Sequence, residues 1–488
     1  MNLPAELPIS PEEWERTPAS VQAVVILLWQ DKQTLKEQVA SLQNQVEKMQ
    51  AELGKLHERV NKNSQNSSKP PSSDPPQKRS YPKPEPSGEK NGGQKGHHGH
   101  GRKLKATEEV SRIVKSLPTV CKECGTLLLG EDPQPERHQM SELPKIKPEI
   151  VEYQRHTLNC SVCGTRNRAE WPKEMPAGSF GERLQGLVGY LSGRFGVSQR
   201  DIAEMLGTVF QVEISLGSIP GQEQKVSQAL KQPVEAAQQY VQTQTAVNLD
   251  ETGWHELIKN VWMWVCTTPS VSVFRIFQGR SGSGAEELLG KDYSGTVGSD
   301  RYSAYNWLDP IHRQVCWAHL KRDFQAWVER GGESGVIGRM LLARLKQFFG
   351  FWHRIRDGTL SRADFQTEMQ PIRREVVGLL EIGTLLEHRE TRRTCQNILK
   401  VKQALWTFVD REGVEPTNNA AERALRRGVI WRRRSYGTQS ENGSLFVERI
   451  LTAVMTLRQQ KRDVLDYLAA ACKAVTLGIP APSLLPAV

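Results

Sequence analysis

A seven-residue repeat near the start constrains this chain most. Val25, Lys32, Val39, Val46, Leu53 and Val60 share one heptad position, and Leu28, Leu35, Leu42, Met49 and Leu56 follow three residues later. A strict repeat of seven keeps one seam in register only when helices supercoil, and branched residues at a with Leu at d favour a parallel pair. Lys32 weakens its layer and restricts the number of partners. The remaining faces are polar, as at Gln43, Asn44, Glu47 and Lys48. An amphipathic helix packed on its own chain would show a broader stripe. A coiled-coil dimerisation helix over 20–63 is therefore expected, giving a homodimer or a higher oligomer.

The texture then breaks. Seven prolines lie between Pro70 and Pro86, and Lys69 to Lys105 carries nine Lys/Arg against three acids, besides His97, His98 and His100. Such a stretch cannot bury a core, so 64–108 is expected to be a basic linker. Its end, Lys95 to Lys105, can lie along phosphates; a solvated tether is the other reading. The whole chain has 65 Lys/Arg against 55 Asp/Glu, a net charge of +10, which suits a polyanionic partner. Eight cysteines in 488 residues are too few for a disulfide framework. The apolar run Ala23 to Trp29 is far short of the ~20 residues of a membrane span. The N-terminus shows no leader pattern. A cytoplasmic multidomain protein, with no membrane partner, is the class that remains.

Two pairs, Cys121-x-x-Cys124 and Cys160-x-x-Cys163, each precede a glycine. Two such pairs can close a tetrahedral thiolate site, so a Zn²⁺ ribbon is expected over 109–180. Residues 181–243 read as helices. Leu184, Leu187, Val188 and Leu191 make one apolar face, Ser198 caps a second helix whose Ile202, Ala203 and Leu206 face inward, and Gly207 is expected to end it. Another helical element begins around Ile214. The spacing suits a helix-turn-helix DNA reader, in which Ser198, Gln199, Arg200, Ser215 and Ser218 would face DNA, although any small helical hairpin shares it.

From 244 onward β-formers dominate. Thr245 to Asp250, Asn260 to Cys266 and Val271 to Phe277 read as strands, Ser283 to Leu289 as a helix, and Gly295 to Asp300 and Arg313 to Trp317 as further strands. This order matches a ribonuclease H-like core over 244–450. A helical insertion is expected at about 330–412 and a C-terminal helical tail at 451–488. The fold class is thus α/β and multidomain.

Asp250 and Asp300 are each read as ending a strand, and Glu422 as opening a helix. Three carboxylates gathered at one sheet edge are what two hard divalent ions require, and two such ions stabilise the attacking and leaving oxygens of a phosphoryl displacement. Taken singly, each acid is more often structural. His319, Lys321 and Arg322 follow the last strand and can hold a phosphate. Arg423, Arg426, Arg427, Arg432, Arg433 and Arg434 form a basic segment beside Glu422, with Trp431 available to stack on an unpaired base. A charged helix face is the alternative. The loop Gly279 to Gly284 lacks the signature of a nucleotide-binding loop and is read as a turn.

Seven motifs in order now carry a resemblance: Asn66 to Asp74, Gly93-Gln-Lys-Gly96, the paired CxxC, Val247 to Thr252, Ser299 to Tyr305, Cys316 to Phe324 and Thr417 to Arg423. Over about 25–475 the chain resembles transposases of the insertion sequence 66 family. The resemblance implies a DDE transposase that cuts element ends and joins the freed 3′-hydroxyls to target DNA. It implies two catalytic Mg²⁺ or Mn²⁺ ions on Asp250, Asp300 and Glu422, nucleoid association in a bacterial cell and, often, small accessory proteins. Two rivals stand beside it: a non-catalytic zinc-containing DNA-binding regulator, and a ribonuclease H-type nuclease that cleaves without joining.

Overall fold

The heptad run forms one long helix. In the computed structural model, which describes residues 7–67, 103–172, 175 and 178–487, a short α1 (Pro11–Glu15) precedes α2 (Ala19–Asn61). The seam residues Leu28, Leu35, Leu42 and Leu56 are each more than half exposed, so the chain does not cover its own seam. The far end of α2 is tied down where Glu58 accepts a bond from Arg330 Nε at 2.6 Å. Most of the expected basic linker, including His97, His98 and His100, lies outside the described residues.

The two CxxC segments fold alike. At each, the first cysteine's N–H donates to a threonine carbonyl five residues on (Thr126, Thr165) and its carbonyl accepts from the glycine four residues on. Gly125 and Gly164 adopt φ of +73° and +71°, a left-handed turn that a side chain would strain. β1 (Thr157–Asn159) and β2 (Arg166–Arg168) pair antiparallel around the second turn. Next come α3 (Glu182–Tyr190), a π-turn over Leu191–Phe195, α4 (Gln199–Phe210) and α5 (Ser218–Ala229). Val188, Leu191, Ile202, Leu206 and Ile219 form their shared core. Gly207 does not end α4. The helix continues to Phe210 because Phe210 and Val212 add to the same core, and Gln211 closes it in a left-handed cap.

After α6 (Lys231–Gln242), β3 (Ala246–Glu256), β4 (Lys259–Thr267) and β5 (Ser272–Phe277) form an antiparallel meander. Then α7 (Gly282–Leu289) leads to β6 (Thr296–Ser299), and β7 (Arg313–Val315) follows. The sheet order is β5-β4-β3-β6-β7, with β3, β6 and β7 parallel. Strand alternation gives the sheet two apolar faces. Leu249, Trp264 and Cys266 pack with Ala285 of α7 and Ala237 of α6. Met263, Val265 and Phe274 pack on the opposite face. Helices α8 (Trp317–Arg330), α9 (Gly332–Arg356), α10 (Arg362–Gly383), α11 (Arg389–Lys400) and α12 (Thr407–Asp410) build a separate aromatic core around Trp317, Phe348, Phe365 and Phe408. The chain returns to the sheet with α13 (Asn419–Ser435) and α14 (Glu441–Gln459), whose Leu425 and Val447 cover the second face, and ends with α15 (Val464–Leu477).

A helical tail starting at 451 does not describe the C-terminus, because that boundary cuts through α14. This helix caps the β5 edge. Glu448, Thr452 and Thr456, spaced four apart on one face, accept the N–H groups of Ile276, Phe274 and Ser272 at 2.7, 2.9 and 3.0 Å. The chain divides into two compact units: one of 1–76, 232–462 and 483–488, the other of 77–231 and 463–482. The second thus combines the knuckles, the α3–α5 bundle and α15. No described helix is long and apolar enough to cross a membrane.

Candidate active site

Register brings the first two carboxylates to one place. Ala246, Val247 and Asn248 pair with Thr296, Val297 and Gly298 of the parallel neighbour. Asp250 and Asp300 each lie two residues beyond the last of these pairs. Asp250 does not end its strand, as the sequence reading had it. β3 runs on to Glu256 because it stays paired with β4, and what stops at Asn248 is the pairing with β6. Asp250 lies opposite Val265, on the α13 face of the sheet, while Glu251 lies opposite Trp264, on the α7 face.

Glu422 comes from the first turn of α13, where a carboxylate is favoured by the helix dipole. Asn418, fully buried, fixes that turn. Its Nδ2 donates to Leu249 O at 2.7 Å and its N–H to Cys316 Sγ at 3.1 Å. Burial pushes the Asp250 carboxyl well above its usual range, and the charges of Glu251, Asp300 and Glu422 push it the same way. Three acids remote in sequence therefore act on one another here.

Asp300 is held through its backbone as well. The Tyr302 N–H donates to its Oδ1 at 2.9 Å, and Arg313 Nη2 donates to its carbonyl at 2.7 Å. Arg313 is buried beneath the loop and also bonds Ser299 Oγ and Tyr305 O; burial lowers its guanidinium to about 10.

His319 sits against Glu422, its Nδ1 3.6 Å from Oε1, and both atoms are buried without a hydrogen-bond partner. Burial, first, lowers the imidazole's pKa against the pull of Glu422 and Asp300. Arg322 Nη2 lies 3.7 Å from the other Glu422 oxygen. His319 and Arg322, expected as phosphate holders, thus pack on the third carboxylate, and of that trio Lys321 is exposed. Cys316, His319 and Glu422 are, among the described residues, the one group of three ligating side chains with donor atoms within 4.8 Å of one another. The four knuckle cysteines accordingly stand as two pairs. Within each pair one thiol is lowered to about 7, Cys124 by the hydroxyl of Thr126 and Cys163 by that of Thr165.

The remaining candidates separate. Arg423, Arg426, Arg433 and Arg434 lie on the exposed side of α13, opposite buried Ala421, Ala424, Leu425 and Gly428. Arg427 is half-buried. Arg432 instead turns onto β3, donating to Thr252 Oγ1 at 3.1 Å and to Gly253 O. Trp431 is half-buried, packed against the sheet core with its ring edge-on to Phe446. In the bundle, Ser198 is spent as the cap of α4, Gln199 bonds Glu223, and Ser215 and Ser218 bond each other at 2.8 Å, whereas Arg200 is exposed. Sequence reasoning assigned no role to Cys316, Asn418, Glu251 or Arg280. The i, i+3 spacing of Cys316 and His319 was the one available signal, since it puts both on one face of the first turn of α8.

Comparison with known proteins bears on these residues. The model of a family of unknown function (DUF6444) matches residues 10–103. Two curated relatives come from Sinorhizobium fredii (strain NBRC 101917 / NGR234). The uncharacterized protein y4qI is 27% identical over 250 residues, 45% of this chain and 44% of the relative. The uncharacterized protein y4hP is 23% identical over 397 residues, 74% of this chain and 71% of the relative. The chain therefore spans less than half the length of the first. The model described as Transposase IS66 family matches residues 178–445, more than half of the chain and all three carboxylates, so the chain belongs to the IS66 transposase family.

Proposed function

We propose that this chain is a DDE transposase that binds the ends of an insertion sequence, cleaves them and joins the 3′-hydroxyls to target DNA. What supports the reading is the β3–β6 register, which sets Asp250 and Asp300 two residues past the last paired positions of neighbouring strands, together with Asn418, which ties the α13 turn bearing Glu422 to β3. The strand order β5-β4-β3-β6-β7, three antiparallel strands followed by two parallel ones, supports a ribonuclease H-like core interrupted by the α8–α12 helices. The residues fit a pair of divalent ions. Asp250, Asp300 and Glu422 offer hard oxygen donors, and Glu422 Oε1 is buried with no partner of its own. Mg²⁺ or Mn²⁺ held there would supply Lewis acidity at the scissile phosphate and acidify a water.

The chain's own groups divide the remaining tasks. Cys316 lies beside Glu422 and His319, and burial pushes its thiol up to about 11. Arg423, Arg426, Arg433 and Arg434 line one exposed side of α13 and would hold the phosphates of flanking DNA. Each cysteine knuckle is a preformed half-site for Zn²⁺, with a thiol near neutrality. Closing a four-sulfur ribbon requires the two halves to meet. The exposed α2 seam supports a homodimer that would hold two ends together.

A strand-transfer assay with end DNA and Mg²⁺ or Mn²⁺ tests this. Wild-type protein should cleave and join. Asp300→Asn should lose both while binding ends as before, and joining by that variant would refute the site. Binding without cleavage by wild type would favour the regulator, and cleavage without joining the nuclease.

A further inference from the structure

The loop Gly279 to Gly284 and the acid next to Asp250 are the two features the reaction leaves unused, and they meet. Glu251 is buried, its side chain 1% exposed, on the sheet face opposite Asp250. Arg280 reaches it from the loop, with Nε at 3.0 Å and Nη2 at 2.9 Å from the same carboxylate oxygen. The Tyr305 hydroxyl donates to the other oxygen. Both oxygens of Glu251 are thereby bonded. The guanidinium of Arg280 also lies over the ring of Tyr302, 3.6 Å from its centroid, and over that of Trp262, at 4.6 Å. Tyr302 is the residue whose N–H holds Asp300 Oδ1, and Tyr305 closes the same turn.

The glycines explain how the loop gets so close. A Cβ at Gly282 would stand 2.6 Å from Trp307 Cδ1 and 2.9 Å from Ala304 O, so only glycine lets the loop seat on the 304–307 turn. The segment bearing Asp300 is therefore held on two sides: Arg313 bonds its backbone from within, and Arg280 grips its aromatic rings and, through Glu251, its Tyr305.

We propose that Arg280, anchored on Glu251, is a positioning residue that clamps the 300–305 turn and so aims Asp300 at the ion site. The second half of that statement rests on Asp300 belonging to the catalytic triad, as argued above. The first half is testable without it. In Arg280→Ala and Arg280→Met, hydrogen exchange of the 300–305 amides should quicken by about tenfold or more, the scale of losing one charge-assisted bond. Tyr302→Leu, which leaves the Glu251 pair untouched, should loosen the same amides if an arginine variant does not fold. Unchanged exchange in a folded variant overturns the clamp.

Mn²⁺ binding, read by electron paramagnetic resonance on the full chain, tests the aim. Arg280→Ala should weaken it about tenfold, in the range of outer-shell substitutions, with end-DNA affinity unchanged. Wild-type affinity in that variant would overturn the aiming role. Asp300→Asn serves as the separate control: if it too binds Mn²⁺ like wild type, the triad reading has failed, while the exchange result still judges the clamp.

Discussion

Asn418 carries no charge, yet three parts of the site meet on it: β3 through Leu249 O, the start of α8 through Cys316 Sγ, and Glu422, whose N–H donates to the Asn418 carbonyl at 3.2 Å. Asn418→Ala would leave the Leu249 carbonyl buried without a partner, at a cost of about 1–3 kcal/mol. Urea unfolding should show that loss, together with cleavage reduced more than end binding. The residue was invisible as a site residue in the sequence, because an asparagine before a helix reads as a cap. Here it makes no side-chain cap bond and is spent on a strand 169 residues away. Asp250, Asp300 and Glu422 were singled out in the sequence for a different reason, since acids beside apolar strands or at the start of a helix stand out locally. That Trp431 packs on the sheet core was not legible, because local sequence does not say which side of a basic helix faces the core.

Elements show the same division. The α2 seam was readable because heptad periodicity is local, and its exposed residues are those a partner helix would cover in the proposed homodimer. If the proposed homodimer forms through this seam, Leu35→Asp with Leu42→Asp should give monomers in analytical ultracentrifugation and leave the sheet unit folded. The α4–α5 pair carries a different signature. Burial raises the pKa of Glu223 above its ordinary 4.5, while bonds from Ser192 and Gln199 oppose the shift. A carboxyl whose folded pKa lies above its unfolded one favours the fold in its neutral form. That contribution is complete below 4.5 and is lost as pH rises through the raised value. Thermal midpoints of the bundle should therefore fall over that rise, and Glu223→Gln, which removes the titrating group and keeps one acceptor oxygen, should flatten the trend. The α14 ladder on β5 could not be anticipated, because the threonine that satisfies Phe274 N–H lies 178 residues further on.

At the scale of the whole molecule, the discontinuous units are the main departure from a linear reading. Residues 463–482 fold with 77–231, and 1–76 group with the sheet unit. Boundaries drawn from texture assume that neighbours in sequence stay neighbours in space. What short-range pattern could specify was specified: the heptads, the two cysteine turns, the succession of strands and helices and the basic excess. Each follows from side-chain periodicity, backbone preference or charge within a few dozen residues. That Asn418 ties the α13 turn to β3, that Arg280 spans from a glycine loop to Glu251, and that α15 joins the α3–α5 bundle were settled by folding alone. Those outcomes depend on strand register and on contacts between remote residues, and register is chosen by which faces can be buried together, a property no local window contains.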